Sequence, residues 1–92
     1  MQERIRVQRV IWICLVCPSL WKGTTFEGLE VYIRYRHGQL RGTVAGEVVY
    51  CRQVGDDLDG FMSYEAMVQH TRDVFSWPEV APPEPPEPDM SL

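Results

Sequence analysis

The chain has 92 residues, 45% of them hydrophobic, 11% aromatic and 24% charged. That describes one small globular unit, too short for a separate cofactor domain and unlike a polytopic membrane protein. The formal net charge is −4, yet residues 1–52 carry +4 and residues 53–92 carry −8, so the two halves either satisfy each other or face partners of opposite sign.

Ile5 and Val7 alternate with Arg4, Arg6 and Gln8, and the chain then runs apolar from Val10 to Cys17 until Pro18 stops it. β-Branched and aromatic residues dominate, which predicts a strand that becomes buried on both faces. Read as a secretory signal, Arg4, Arg6 and Arg9 would precede a short apolar run, but Glu3 is acidic and no small-residue cleavage site follows. The run also falls well short of the roughly 20 residues that span a bilayer.

Residues 18–27 contain Pro18, Ser19, Gly23, Thr24 and Thr25 and read as a loop. Residues 29–36 alternate cleanly, with Val31, Ile33 and Tyr35 on one face and Glu30, Tyr32, Arg34 and Arg36 on the other. His37-Gly38 is a turn signal. Residues 39–45 form a second strand, weakened or bulged at Gly42, and after Gly46-Glu47 residues 48–54 form a third. Connections this short make neighbours antiparallel, so 29–54 is expected to be a β-meander.

Residues 55–60 are an acid-rich turn. Ser63 is a good N-cap, with Glu65 in the first helical turn. Tyr64, Met67, Val68, Thr71, Val74 and Phe75 then recur at helical spacing, while Glu65, Gln69, Arg72 and Asp73 face away. A helix over 63–76 follows, ending before Pro78. The expected fold class is α+β: an antiparallel sheet of three to four strands with one C-terminal helix packed on one face. The domain spans 1–77, and 78–92 is a Pro/Glu-rich flexible tail. Six of the seven prolines lie in that tail, which favours extended polyproline II over a core. Its Pro82-x-x-Pro85 and Pro83-x-x-Pro86 spacings occur in any proline run and lack a flanking basic residue.

Cys14-Leu15-Val16-Cys17 is a CxxC, but its setting argues against chemistry. A redox pair needs a cysteine at a helix N-terminus, and a zinc knuckle needs a tight turn that Leu15-Val16 does not supply. A zinc site from Cys14, Cys17 and Cys51 with His37 or His70 stays open as an alternative. Three cysteines, an odd number, fit a reducing compartment. Asp57-x-Asp59-Gly60 resembles half of a calcium loop, but with Gly60 at position 6 the first ligand is Gly55 and the twelfth is Ala66. No nucleophile, metal-hydrolase or phosphate-loop motif appears. The Asp56 and Asp57 carboxylates lie in an exposed turn without the burial that general acid work needs.

The strongest positive feature is the Tyr32, Arg34, Arg36 face, which Arg41 and Arg52 could join from neighbouring strands. Aromatic and guanidinium groups on one sheet face stack on bases, neutralise phosphates or anchor protein interfaces. The acidic end offers Asp56, Asp57, Asp59 and Glu65. The expectation is a non-enzymatic, cytoplasmic binding protein without cofactor or metal, docking on a partner protein or nucleoprotein complex and not on a membrane. Phages and mobile elements use compact acidic chains of this kind as anti-CRISPR-like inhibitors of host defence machinery. The alternatives are a nucleic-acid-binding module that uses the Tyr/Arg face, and the zinc protein. A homo-oligomer fits all three, because a small sheet leaves open edges.

Overall fold

The computed structural model describes residues 4–15 and 18–85. Among these, six strands form one sheet: β1 (Ile5–Cys14), β2 (Ser19–Thr25), β3 (Glu30–Arg36), β4 (Gln39–Val44), β5 (Glu47–Gln53) and β6 (Phe75–Ser76). One helix, α1 (Tyr64–Thr71), precedes β6. The spatial order is β5-β4-β3-β2-β1-β6. β1 to β5 pair antiparallel in sequence order, and β6 pairs parallel to β1.

The sheet is therefore mixed, six-stranded and curled into a half-barrel, not an antiparallel meander of three to four strands. Three local causes account for the difference. First, the expected loop at 18–27 is largely β2. Its inward positions are Ser19, Trp21, Gly23 and Thr25, so the period of two is real but, Trp21 apart, filled with small residues that read as a loop. Gly23 sits there because a Cβ would lie 2.5 Å from the Arg9 carbonyl oxygen on β1.

Second, β1 is not buried on both faces. Val7 and Trp12 are buried, whereas Ile11 is 58% exposed and Ile13 44%. Val7 and Trp12 are an odd number of residues apart, and a register shift between Val7 and Arg9 turns both inward. Cys17 and the final prolines, Pro86 and Pro88, lie outside the described residues.

Third, the helix stops at Thr71, not at 76. Ser63 caps it as expected, its Oγ accepting from Ala66 N at 3.2 Å. Thr71 Oγ1 donates back to the Met67 carbonyl at 2.8 Å, and the chain then turns. Ile5 N donates to the Val74 carbonyl at 2.7 Å, and Phe75 and Ser76 join the free edge of β1. Pairing an unsatisfied strand edge outweighs another turn of helix, because Asp73, Val74, Phe75 and Ser76 are weak helix formers.

The connection from β5 to β6 thus runs from one sheet edge to the other across the concave side. Tyr64, Met67 and Thr71 of α1 are buried there, in one core with Trp21, Val31, Ile33, Tyr35, Leu40 and Phe75. A Cβ on Gly42 of β4 would lie 3.3 Å from Phe75 Cε2. Phe75 belongs to the far edge strand, so only a strong curl brings the two together.

Candidate functional site

The alternation of β3 sends Val31, Ile33 and Tyr35 into the concave core and leaves Glu30, Tyr32, Arg34 and Arg36 on the convex face. Strand pairing extends that face. Arg34 stands directly opposite Arg41 of β4, and Arg36 opposite Gln39. Gln39 in turn faces Gln53 of β5. Tyr32 is flanked by Lys22 of β2 and Thr43 of β4.

The turn between β3 and β4 closes this surface at one end. His37 and Gly38 both have positive φ, 55° and 75°, which makes a two-residue hairpin loop of the type that suits strand twist. Gly38 is the anchor for the acidic segment. Its N–H donates to the Asp59 carbonyl at 2.9 Å, and its own carbonyl accepts from Val54 N at 2.8 Å and Gly55 N at 3.0 Å. A Cβ at Gly38 would clash with the carbonyl oxygens of Gly55 and Asp56, so no side chain fits. Gln53 Nε2 ties the same junction by donating to the carbonyls of His37 and Gly55, both at 2.9 Å. His37 Nδ1 lies 3.0 Å from the Asp57 carbonyl, and because a carbonyl only accepts, Nδ1 carries the proton.

These contacts create a notch of about 250 Å³. Arg34, Arg36 and Arg41 supply its positive wall. His37, Gln39 and Gln53 complete it, with Asp57 on the rim. None of these side chains is buried. Among the described residues, the ion pair present is Lys22 Nζ to Glu30 Oε2 at 3.7 Å, so no carboxylate bridges Arg34 to Arg41. The chain matches no protein-family model, no curated protein and no solved structure.

Of the residues singled out from sequence, Arg34, Arg36, Arg41 and Asp57 meet in the notch. Tyr32 lies one row away on the same face, at 36% exposure. Asp56 and Asp59 belong to the same acidic segment, but Asp59 is engaged: its Oδ2 accepts from Tyr35 Oη at 2.7 Å. Arg52 does not join the convex face. It pairs with Leu40 on the concave side of β5, and its guanidinium lies 5.7 Å from the Tyr50 ring centroid. Glu65 is on the helix, beside Tyr64 and Trp77. Sequence reading missed His37, Gln39 and Gln53. The positive-φ turn after an Arg-rich strand was the available signal for His37; the two glutamines follow only from strand register.

A larger hollow of about 640 Å³ opens at the other end of the sheet, lined by apolar groups such as Ile5, Phe26 and Val49 and by Arg4 and Arg6. The Arg6 guanidinium covers the Phe26 ring at 4.7 Å, so part of that rim is already internally satisfied.

Cys14 and Cys51 cannot share a metal ion. They stand on β1 and β5, four strand steps apart, and each step is about 4.8 Å. Both register with outward residues, Leu20 and Arg41, so the curl separates them further. Among the described residues no cluster of three His, Cys, Asp or Glu side chains stands close enough to hold a metal ion. No helix there is long and apolar enough to cross a membrane.

Proposed function

We propose that this chain is a non-catalytic binding protein that docks through the convex end of its sheet on a protein or nucleoprotein complex. The observation that carries the reading is convergence. Arg34, Arg36, Arg41 and Asp57 come from three separate segments and share one notch, while Arg34 and Arg41 stand opposite each other without a bridging acid among the described residues.

Like charges directly opposite on a sheet destabilise the fold, and a partner group placed between them offsets that cost. Acid and base side by side favour one orientation of a partner. Tyr and Arg are the residue types that dominate interface energetics. The acidic segment is held by backbone hydrogen bonds to Gly38, so little ordering entropy is lost on docking.

The test is affinity capture from a native-host lysate, with and without nuclease. The wild type is compared with Arg34→Ala/Arg41→Ala and with Arg52→Ala and Glu65→Ala, whose positions lie off the notch. The expected result is a stoichiometric partner retained by the last two variants and lost with the first. Equal capture by all variants overturns the reading.

A further inference from the structure

We infer that the Arg34/Arg41 notch is a phosphodiester site for single-stranded nucleic acid, with Tyr32 as the stacking platform for the neighbouring base. The inference rests on the docking reading above and names the group that the convex face takes.

The geometry is that of an oxyanion cradle. Directly opposed residues in an antiparallel pair have Cβ atoms about 4.5–5.5 Å apart, so the Arg34 and Arg41 guanidinium groups reach a common point above the sheet. Arg36 belongs to the next row of the same face. Three permanent cations therefore border about 250 Å³ of open space with no ion pair to a described carboxylate. Guanidinium groups match phosphate oxygens with paired hydrogen bonds. His37 adds an imidazole whose Nδ1 is fixed on the Asp57 carbonyl, and Gln39 adds an amide.

Tyr32 makes the ligand a nucleic acid rather than a simple anion or an acidic peptide. It sits two residues from Arg34 on the same face, about 6.6–6.8 Å along the strand, a step comparable to that between successive nucleotides of an extended strand. Lys22, ion-paired with Glu30, and Thr43 border it on either side, leaving the aromatic ring within a polar row. Stacking on such a face requires an unpaired base, hence a single strand. One exposed apolar side chain, Leu58, follows the notch residue Asp57 in the chain, while Ile11 and Ile13 of β1 lie two strands from β3, so the notch adjoins a single apolar group and not the broad apolar rim that a lipid surface would need. Asp57 also lines the notch and opposes an anion locally, but it faces three guanidinium groups there, and acidic groups more than about 8–10 Å away are screened at physiological salt.

The test is fluorescence anisotropy with a labelled mixed-sequence single strand of about 16 nucleotides, titrated between about 50 and 200 mM salt. The variants are surface substitutions, with folding checked by circular dichroism. Binding should weaken with salt, and Arg34→Ala or Arg41→Ala should each reduce the log–log salt slope by about 0.7. Tyr32→Ala should weaken binding roughly 5- to 150-fold at an unchanged slope, and Tyr32→Phe should restore it. Inorganic phosphate should compete only at high concentration, and a duplex of the same sequence should bind more weakly.

No binding of the strand by the wild type at the lowest salt overturns the inference, as does binding indifferent to Arg34→Ala and Arg41→Ala. Preferential binding to anionic phospholipid vesicles also overturns it. If oligonucleotide binding is absent while nuclease-resistant capture still depends on Arg34 and Arg41, the docking reading stands with a protein partner. If both are absent, both readings fall.

Discussion

Tyr50 shows how unevenly this core is satisfied. Its hydroxyl is enclosed without a hydrogen-bond partner among the described residues, as are the indole N–H groups of Trp12 and Trp21. A buried hydroxyl left unpaired costs on the order of 1–3 kcal/mol. Tyr50→Phe keeps the ring under Arg52 and should raise stability by about 1 kcal/mol, read as a higher urea midpoint at constant slope; a lower midpoint would reveal a bound water holding the hydroxyl. Gly42 is the opposite case, a position already full. A Cβ there would lie 2.9 Å from Ile33 Cδ1, so Gly42→Ala should cost about 1–3 kcal/mol by overpacking. Ile33→Val removes the clashing methyl, so the double variant should lose less than the two single losses combined. Strict additivity would mean that the two sites do not touch.

Two hairpin loops and one short edge strand shape the elements. The β4–β5 loop places Ala45 and Gly46 at φ 51° and 85°, and an alanine in the left-handed region is strained by about 1–2 kcal/mol. Asn adopts this conformation more readily, so Ala45→Asn should stabilise the fold by about 0.5–1 kcal/mol. Chemical denaturation reads the gain, and an unchanged or lower midpoint would show that the turn is not strained there. β5 is the open edge of the sheet, and a register shift beside Gly42 and Thr43 gives it an extra residue. Such a bulge blunts strand addition. At the other edge, β6 is held by two paired residues and by aromatic packing, with Phe75 and Trp77 ring centroids 5.1 Å apart. Trp77 Nε1 donates to Thr71 Oγ1 at 2.8 Å, which joins the helix end to the strand that replaces its continuation.

At the scale of the whole molecule, the phenols that hold the acidic segment and the helix against the sheet set its behaviour in base. Burial, then the hydrogen bond to Asp59 and the charges of Asp59 and Asp56, push Tyr35 from 10.0 up to about 12. Burial and then the Glu65 charge push Tyr64 from 10.0 up to about 12. The folded chain therefore keeps both protons in a range where the unfolded chain has lost them. Their contribution is complete below about pH 10 and is lost as pH rises toward 12. Melting temperature should fall steeply across that window, and Tyr35→Phe/Tyr64→Phe should flatten the fall. An equally steep loss in the double variant would assign the alkaline transition to other groups.

The bulge expected in the Gly42 strand falls on β5 opposite it, whereas local chemistry in the sequence determined the alternation of β3, the positive-φ turn at His37-Gly38, the Ser63 cap and the pairing of charge with Tyr32. Each depends on residues within a few positions of one another, where side-chain period and backbone sterics decide. β2 was hidden because Ser19, Gly23 and Thr25 fill all its inward positions but that of Trp21, Gly23 being required by the close approach of β1 and not by hydrophobicity. The helix end was hidden because Phe75 and Ser76 join an edge made by residues some 70 positions earlier, a competition that no local pattern encodes. The site divides in the same way. Tyr32, Arg34 and Arg36 are legible as one face from the strand period alone, whereas Arg41 joins them through the register of β4 on β3. That Arg52 faces inward, that Glu65 stands apart and that Asp57 closes the notch beside His37 were decided by strand register and curl, which exist only once the chain has folded.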